Sequence, residues 1–403
     1  MNGPLLLVAP IEPCWTGNGL SMRVAGFTES AARHWEVRVV VVPVAGRLPR
    51  PCPATVTAPV AAVPRPERRD LARATAALVA DPRWRRLLAD AGTLPEAARA
   101  ASPALAGDVV RAGGVAAGTP VLGVRAYLAP LAVSVAEQLG APWCALDLDD
   151  DDEELARAEG RSADAAAYRR LVATFGPRVG ALSLAAPADA AALAQRHHLR
   201  TVTVPNAVRV PATPPARRPE PGIMLFVANL TYPPNVEAAT ALVEGVLPAL
   251  ASRGVPRPRV LLVGPYDPDG PLRALRDRPD VTVTGFVDDL HDSYARAALV
   301  VAPIQHGSGT RIKLLEAFAH RVPVVTTPAG AAGLEVRHGE HLLLGATAGE
   351  LAAAAAEVCE SPALGASLAA AAYRFVRRHH DLPVMARQVR ALLEAAAEGP
   401  RVS

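Results

Sequence analysis

The chain has 403 residues, of which half are apolar, and its formal net charge at pH 7 is +3. This length exceeds one ordinary hydrophobic core and predicts two or three domains of about 150 residues. The small net charge argues against a general nucleic-acid-binding protein, which would need a strongly basic surface. No stretch approaches the ~20 consecutive apolar residues that a membrane-spanning helix needs.

The four cysteines are scattered along the chain without a Cys-x-x-Cys pair, and they indicate neither a zinc site nor a disulfide framework. We therefore expect Cys14, Cys52, Cys144 and Cys359 to be reduced thiols in a cytoplasmic protein. The first residues also lack the basic region and the long apolar region of a signal peptide.

In the first half of the chain, short apolar runs alternate with Ala- and Leu-rich stretches of helical character. The runs are rich in Val and Leu without strict alternation, which is typical of strands buried on both faces of a parallel sheet. The helical stretches between them provide the crossovers of a doubly wound fold. The predicted strands are Leu5–Ala9, Val37–Val44, Pro120–Val124, Trp143–Leu148, Val179–Leu184 and Thr201–Val204.

A basic segment interrupts this pattern between Val63 and Ala112, where seven arginines lie from Arg65 to Arg86. Charge runs of this kind usually form the solvated face of surface helices, and we favour that interpretation. The alternative is a patch for a phosphorylated acceptor or for peripheral membrane contact.

The proline-rich stretch at residues 205–221 has no apolar periodicity and predicts a stiff linker after an N-terminal domain at 1–204. Strand and helix patterns then restart in a second Rossmann-like domain at 222–380. A final helical stretch within 381–403 is predicted to cross back to the first domain. The strands predicted in the second domain are Ile223–Ala228, Arg259–Val263, Val281–Thr284, Leu299–Pro303, Val322–Thr326 and His341–Leu344.

The clearest chemical signal is a glycine loop, Gly307-Ser308-Gly309, between a predicted strand and a helix that begins near Thr310. Unpaired backbone N–H groups at a helix N-terminus favour an anion, and glycines let it approach the backbone closely. Arg311 and Lys313 place two positive charges in the first helical turn, where they oppose the helix dipole unless an anion compensates. This pattern predicts a phosphate ligand.

Helix geometry places Lys313 and Glu316 on one face, whereas Leu314, Leu315 and Phe318 lie on the side that packs against the sheet. A carboxylate at this distance from a diphosphate can accept hydrogen bonds from ribose hydroxyls. The alternative is an intrahelical Lys–Glu ion pair, which contributes only a few tenths of a kcal/mol.

The second half of the chain resembles the retaining glycosyltransferases of family 4, which have the GT-B fold. The matching segments occur in family order and cover most of the predicted second domain. Weaker matches in the first half are Thr16–Val37, Cys144–Arg157 and Val202–Val208. The matching segments of the second half are Phe226–Ala239, Leu261–Pro268, Val281–Ile304, Gly307–Thr327 and Pro328–Leu334.

The resemblance implies an α/β protein with two Rossmann-like domains whose parallel sheets face each other across a cleft. It also implies that Glu316 holds the donor ribose and that Gly285, Phe286 and Val287 bracket the nucleobase. The remaining residues implied to contact the donor are Gly17, Gly19, Gly264, Gly307, Ser308, Gly309 and Thr310. Asn229 and Asn235 are further donor-binding candidates. His306, beside the glycine loop, is a candidate for lining the sugar pocket, and the alternative is that it caps the loop.

Two departures from the family pattern concern charge. Many members have a second glutamate eight residues before the ribose-binding one, but that position is Ser308 here. Many members also have an arginine and a lysine after the first strand of the second domain, whereas Asn229–Asn235 contains no cation. We infer that Arg311 and Lys313 supply the missing positive charge.

An acidic run follows the predicted strand Trp143–Leu148 and extends to Glu154. Hard cations prefer carboxylates, but the run lacks the spaced ligands of a known metal loop, and we favour acidic enrichment of a helix N-terminus. Asp147 and Asp149, at the strand end, are candidates on the acceptor side. Arg125, after the preceding strand, is a further candidate, although a surface arginine is the favoured interpretation.

The resemblance thus implies sugar transfer, with retention of configuration and without a metal or other cofactor, from a UDP, GDP or dTDP sugar. The acceptor would be a glycan, a lipid-linked molecule or a natural product. The alternative is a non-catalytic nucleotide-sugar-binding or scaffold subunit. A nicotinamide dehydrogenase is disfavoured because no Gly-x-Gly-x-x-Gly follows the first strand.

Overall fold

The computed structural model describes residues 2–16, 18–44, 56–63, 103–305 and 312–400. These residues form two compact units. Unit 1 consists of the described residues within Met1–Trp15, Gly19–Asn206 and Met385–Ser403, and unit 2 consists of those within Thr16–Asn18 and Ala207–Val384. The predicted sites at Gly17, at Arg65–Arg86 and at His306–Arg311 lie outside the described residues.

Unit 1 is built on a parallel sheet of seven strands in the order β3-β2-β1-β4-β5-β6-β7. Its strands are β1 Asn2–Ala9, β2 Trp35–Val41, β3 Val60–Ala62, β4 Val121–Val124, β5 Cys144–Asp149, β6 Ala181–Leu184 and β7 Thr201–Thr203. Its helices up to the linker are α1 Gly19–Ala32, α2 Ala106–Gly113, α3 Ala129–Leu139, α4 Asp152–Ala158, α5 Ser162–Phe175 and α6 Pro187–His197.

The central strands of this sheet are apolar and inaccessible to solvent. Leu5–Ala9 and all of β4 are buried, and β1 pairs in parallel with both β2 and β4. Burial on both faces explains why these strands form continuous apolar runs. The sequence missed β3, because an edge strand of three residues that is largely exposed leaves too short a pattern.

Unit 2 is built on a parallel sheet of six strands in the order β10-β9-β8-β11-β12-β13. Its strands are β8 Ile223–Val227, β9 Arg259–Val263, β10 Val281–Val283, β11 Leu299–Ala302, β12 Val324–Thr326 and β13 Leu343–Leu344. Its helices are α7 Pro233–Thr240, continued by a π-helical turn Ala241–Val246, then α8 Leu247–Ala251, α9 Arg273–Arg276, α10 His291–Arg296, α11 Ile312–Ala319, α12 Pro328–Ala331, α13 Ala348–Glu360 and α14 Pro362–His379. The prediction of two Rossmann-like domains is confirmed.

The proline-rich segment from Ala207 onward is bonded to unit 2. The Val208 N–H donates to the His380 carbonyl at 2.9 Å, and the Tyr373 hydroxyl donates to the Pro211 carbonyl at 2.7 Å. The last helix, α15 Leu382–Ala397, contributes its residues from Met385 onward to unit 1, where its apolar face is buried.

The cysteines differ from the expectation of four reduced thiols. Cys144 is a buried free thiol and Cys359 is a partly exposed one, but Cys14 is disulfide-bonded. The expectation is therefore wrong at Cys14, because a disulfide depends on proximity in the fold that sequence spacing does not show. The argument from reduced thiols for a cytoplasmic protein no longer applies.

Within the described ranges, helices are either too short or too polar to cross a lipid bilayer.

Candidate functional site

Helix α11 carries the two charged candidates of unit 2 that the structure describes. Leu314, Leu315 and Phe318 are fully buried, as predicted, and the Phe318 ring meets the Phe375 ring edge-on at 6.4 Å. Lys313 and Glu316 are only partly buried. The helix follows β11, so it begins at the carboxyl edge of the sheet, where ligands of open α/β sheets bind.

The Lys313 ammonium is held by two groups from outside its own helix. Its Nζ donates to Asn235 Oδ1 at 2.8 Å and lies 4.8 Å from the centroid of the Phe226 ring. Phe226 belongs to β8 and Asn235 to α7, so the cation is fixed near the end of the central strand. The contact with the ring face adds a cation–π attraction.

Asn235 and Asn229 have different roles in this arrangement. Asn235 Nδ2 donates to the Asn229 carbonyl at 2.9 Å, so both polar groups of the Asn235 amide are engaged by protein partners. The Asn229 side chain accepts from the N–H and the hydroxyl of Thr231 and shapes the loop. The segment Asn229–Asn235 contains no cation of its own, but its Asn235 side chain binds the Lys313 ammonium.

Glu316 is in an environment that disfavours its charged form. Burial raises the pKa of Glu316 to about 7, and the positive charge of Lys313 acts in the opposite direction. A carboxyl group whose pKa lies this far above its usual range is a functional-site candidate, because a bound ligand that donates hydrogen bonds can compensate the partly buried charge.

Two residues beside Glu316 were not singled out from the sequence. The Tyr294 ring of α10 stacks on the His320 imidazole at 4.4 Å and 17°. His320 Nδ1 lies 2.8 Å from the Glu316 carbonyl, and burial lowers the pKa of His320. A neutral imidazole at this position carries its proton on Nδ1, because the carbonyl only accepts. Both residues lie in segments that resemble the family, and this resemblance was the sequence feature that could have identified them.

The glycine at the end of β9 is required by the backbone of unit 2. Gly264 has φ of +140°, and its N–H donates to the Gly285 carbonyl at 2.9 Å. A Cβ atom at this position would lie 1.8 Å from the Ala228 carbonyl oxygen. This close approach explains a glycine here without reference to a ligand. Gly285 lies in the loop that follows β10, and this loop also contains Val287 and Phe286, whose side chain is 39% exposed.

In unit 1, Asp147 forms a buried ion pair with Arg23, a residue that the sequence did not indicate. Arg23 Nε and Nη2 donate to the two carboxylate oxygens of Asp147 at 2.7 and 2.6 Å. The Ser183 hydroxyl donates to Asp147, and Arg23 also donates to Asn206 at 2.9 Å. Such a bidentate pair gives the Asp147 carboxylate hydrogen-bond partners from within the protein.

The donor-binding candidate Gly19 is the exposed first residue of α1.

Arg125 is largely buried, so its favoured interpretation as a surface arginine is wrong. It has φ of +80°, and its guanidinium meets Asp149 at 3.3 Å, Asp150 at 3.5 Å and Asp152 at 2.6 Å. Burial raises the pKa of Asp150 to about 7 and that of Asp152 to about 6. The sequence missed this because the carboxylates that surround Arg125 follow a neighbouring strand.

The acidic run that ends at Glu154 lies at the N-terminus of a helix, as the favoured interpretation predicts. Asp151 caps α4 by accepting from the Glu154 N–H at 3.2 Å, and acidic residues occupy the first helical turn. Among the described residues, no group of three or more His, Cys, Asp or Glu side chains is arranged to hold a metal ion.

We predict that Asp150→Asn stabilises the protein above pH 7. The folded-state pKa of about 7 lies above the unfolded value near 4, so the folded state loses stability as pH rises between them. The amide removes this loss. We expect a melting temperature about 2–4 °C above wild type at pH 8, corresponding to roughly 1 kcal/mol, and a smaller difference at pH 5.

Asp164→Asn, at an exposed ion pair with Arg161, serves as the control and should show little pH-dependent change. An Asp150→Asn protein that melts below wild type at pH 8 would mean that Arg125 requires this carboxylate.

Comparisons with known proteins agree with this architecture. Residues 221–361 match the family model described as "Glycosyl transferases group 1". Sucrose-phosphate synthase from Thermosynechococcus elongatus is similar in structure, with a TM-score of 0.69, 16% identity and 98% of each chain covered. No curated protein gives a significant sequence match.

Two further solved structures cover nearly the whole chain. HepE of Anabaena, in complex with UDP and glucose, has a TM-score of 0.66 and 14% identity over 96% of this chain and 99% of that one. WaaG, a glycosyltransferase involved in lipopolysaccharide biosynthesis, has a TM-score of 0.60 and 15% identity over 98% and 100%. The chain therefore has the GT-B fold, and its second unit carries a region that matches the group 1 glycosyltransferases.

Proposed function

We propose that the protein is a glycosyltransferase that moves a sugar from a nucleoside diphosphate sugar to an acceptor with retention of anomeric configuration. The observation that carries this proposal is the pairing of Lys313 and Glu316 on one helix at the carboxyl edge of the unit 2 sheet. Both residues lie within the region that matches the group 1 glycosyltransferases. The acceptor class is a glycan, a lipid-linked molecule or a natural product.

The chemistry follows from the charges. Breaking the anomeric C–O bond leaves an oxocarbenium-like centre and puts negative charge on the departing diphosphate. The Lys313 ammonium and the N-terminal amides of its helix stabilise that charge as it develops. Glu316 accepts hydrogen bonds from the ribose hydroxyls. Arg311, which precedes the helix in sequence, is assigned to the diphosphate from the motif alone.

A non-catalytic nucleotide-sugar-binding subunit is the second candidate, because Ser308 occupies the position where many related enzymes have a glutamate. Lys313 favours the enzyme, because a cation beside the diphosphate stabilises the charge that grows on a leaving group, whereas a ribose-binding Glu316 suits both candidates. The HepE structure holds UDP, so UDP heads the set of nucleotides to be tested.

Thermal shift with UDP, GDP and dTDP tests the binding part of this proposal. A nucleotide that binds only the native state raises the melting temperature, by an amount that grows with its concentration above Kd. We expect one of the three to produce a concentration-dependent rise. If the melting temperature stays constant with all three at millimolar concentration, the proposal is wrong.

We predict full transferase activity in excess EDTA. Lys313 supplies positive charge beside the proposed diphosphate site, and among the described acidic residues Asp151 caps a helix and Asp152 is paired with Arg125. The measurement is the initial rate with and without EDTA. Activity that disappears with EDTA and returns with magnesium or manganese would instead make the run Asp149–Glu154 a metal site.

A further inference from the structure

Tyr294 carries a buried hydroxyl that the fold of unit 2 leaves without a normal hydrogen bond. Its side chain is 1% exposed, and no described residue lies in hydrogen-bonding geometry with the hydroxyl oxygen. Buried polar groups are nearly always paired, because an unpaired one loses its hydration without compensation. This exception therefore needs an explanation.

The neighbours of Tyr294 fix its ring and connect it to Glu316. The ring stacks on His320 at 4.4 Å, and His320 is in turn bonded to the Glu316 backbone carbonyl at 2.8 Å. The phenol interacts electrostatically with the Glu316 carboxyl, although the two groups do not form a hydrogen bond of normal geometry. Burial raises the pKa of Tyr294 well above its usual range, and the negative charge of Glu316 raises it further. The phenol thus stays protonated and available as a donor.

We propose that Tyr294 is a positioning residue for Glu316, whose hydroxyl donates to the carboxylate when a nucleotide binds and so orients it towards the ribose. The inference rests on the proposed function, because it takes Glu316 as the ribose-binding group. A carboxylate accepts several hydrogen bonds, so one oxygen can receive the phenol while ribose hydroxyls donate to the remaining sites.

The phenol also affects the protonation state of Glu316, because its interaction with the carboxylate lowers the pKa of that group. Without a ligand, burial holds the pKa of Glu316 near 7, so the carboxyl is only partly ionised at neutral pH. A phenol that donates to the carboxylate favours the ionised form, which is the form that accepts from ribose. The other titratable groups nearby are Lys313, which lowers the pKa of Glu316, and His320, which is influenced by His291 and Asp289.

The test is Tyr294→Phe, which removes the hydroxyl and keeps the ring on His320. We expect Kd for the nucleoside diphosphate that binds best among UDP, GDP and dTDP to rise about fivefold or more at pH 7. We also expect the midpoint of the pH dependence of binding to move to higher pH. The melting temperature should stay constant or rise, because an apolar group of the same shape replaces an unsatisfied hydroxyl.

Tyr373→Phe is the matched control, since that hydroxyl donates to the Pro211 carbonyl at 2.7 Å within the same unit. Its loss should lower the melting temperature and leave nucleotide affinity unchanged. A structural role for Tyr294 would give the same pattern as this control.

Glu316→Gln separates this inference from the function on which it rests. If Glu316→Gln weakens nucleotide binding but Tyr294→Phe binds within twofold of wild type at every pH, the positioning role is wrong and the ribose assignment stands. If Glu316→Gln binds like wild type, the ribose assignment and the role of Tyr294 are both wrong.

Discussion

Replacing Lys313 with alanine is expected to lower kcat by ~10²–10³ while KM rises much less. The ammonium is already fixed by Asn235 at 2.8 Å and by the Phe226 ring, so it needs no reorganisation as the reaction proceeds. Charge on the leaving diphosphate grows as the anomeric bond breaks. A preorganised cation therefore contributes more in the transition state than in the ground state.

The competing account makes Lys313 a purely structural residue that ties α11 to α7 and β8. It predicts a lower melting temperature with nearly normal turnover. Steady-state kinetics and a melting curve on the same variant separate the two accounts. Lys313→Arg should recover only part of the rate, because a planar guanidinium does not replace a compact ammonium.

Arg337→Ala is a suitable control for the loss of a positive charge from unit 2. Arg337 is 77% exposed and paired with Glu340 at the surface, so both kcat and melting temperature should remain close to wild type. If Lys313→Ala behaves like this control in turnover, the role assigned to Lys313 is wrong.

The second large effect is expected for Glu316→Ala, which should weaken nucleoside diphosphate binding by ~1–3 kcal/mol, about 5- to 150-fold in Kd. The carboxylate is assigned to the ribose hydroxyls, and its loss leaves those hydroxyls without a charged acceptor. Calorimetric titration of the variant and of wild type measures the difference directly.

The same substitution should not unfold the protein. The folded-state pKa of Glu316, about 7, lies above its unfolded value, so its carboxyl costs the folded state stability as pH rises towards 7. Removing it should keep or raise the melting temperature at pH 8, with part of any gain offset by the cavity. Unchanged nucleotide affinity would contradict the ribose assignment.

The fold could be predicted well from the sequence, because apolar runs and helix periodicity are local patterns that identify strands and the buried faces of helices. Leu5–Ala9 is buried in β1, and β9 Arg259–Val263 is buried apart from the exposed Arg259. Leu314, Leu315 and Phe318 occupy the core face that helix periodicity predicts. The strand β3 was missed because three residues at a sheet edge carry too little pattern to register.

The contacts that define the sites were much less accessible from sequence. Arg23 and Asp147 are 124 positions apart, and Lys313 and Asn235 are 78 apart, so only the folded chain brings each pair together. The same limit hid the disulfide at Cys14 and the stacking of Tyr294 on His320. Periodicity predicts which face of a helix or strand is buried, but it does not identify the distant polar residue that a side chain contacts.

Consumption of a nucleoside diphosphate sugar tests the central claim most directly, because it separates an enzyme from a binding subunit. The donor would carry the base that raises the melting temperature, with a panel of sugars and candidate acceptors, and release of nucleoside diphosphate would be followed by chromatography. The account predicts steady release by wild type, slowed ~10²-fold or more in Lys313→Ala, and a product whose anomeric configuration matches that of the donor. If donors bind but remain intact at the same level with wild type and Lys313→Ala, the protein is a non-catalytic nucleotide-sugar-binding subunit and the account is contradicted.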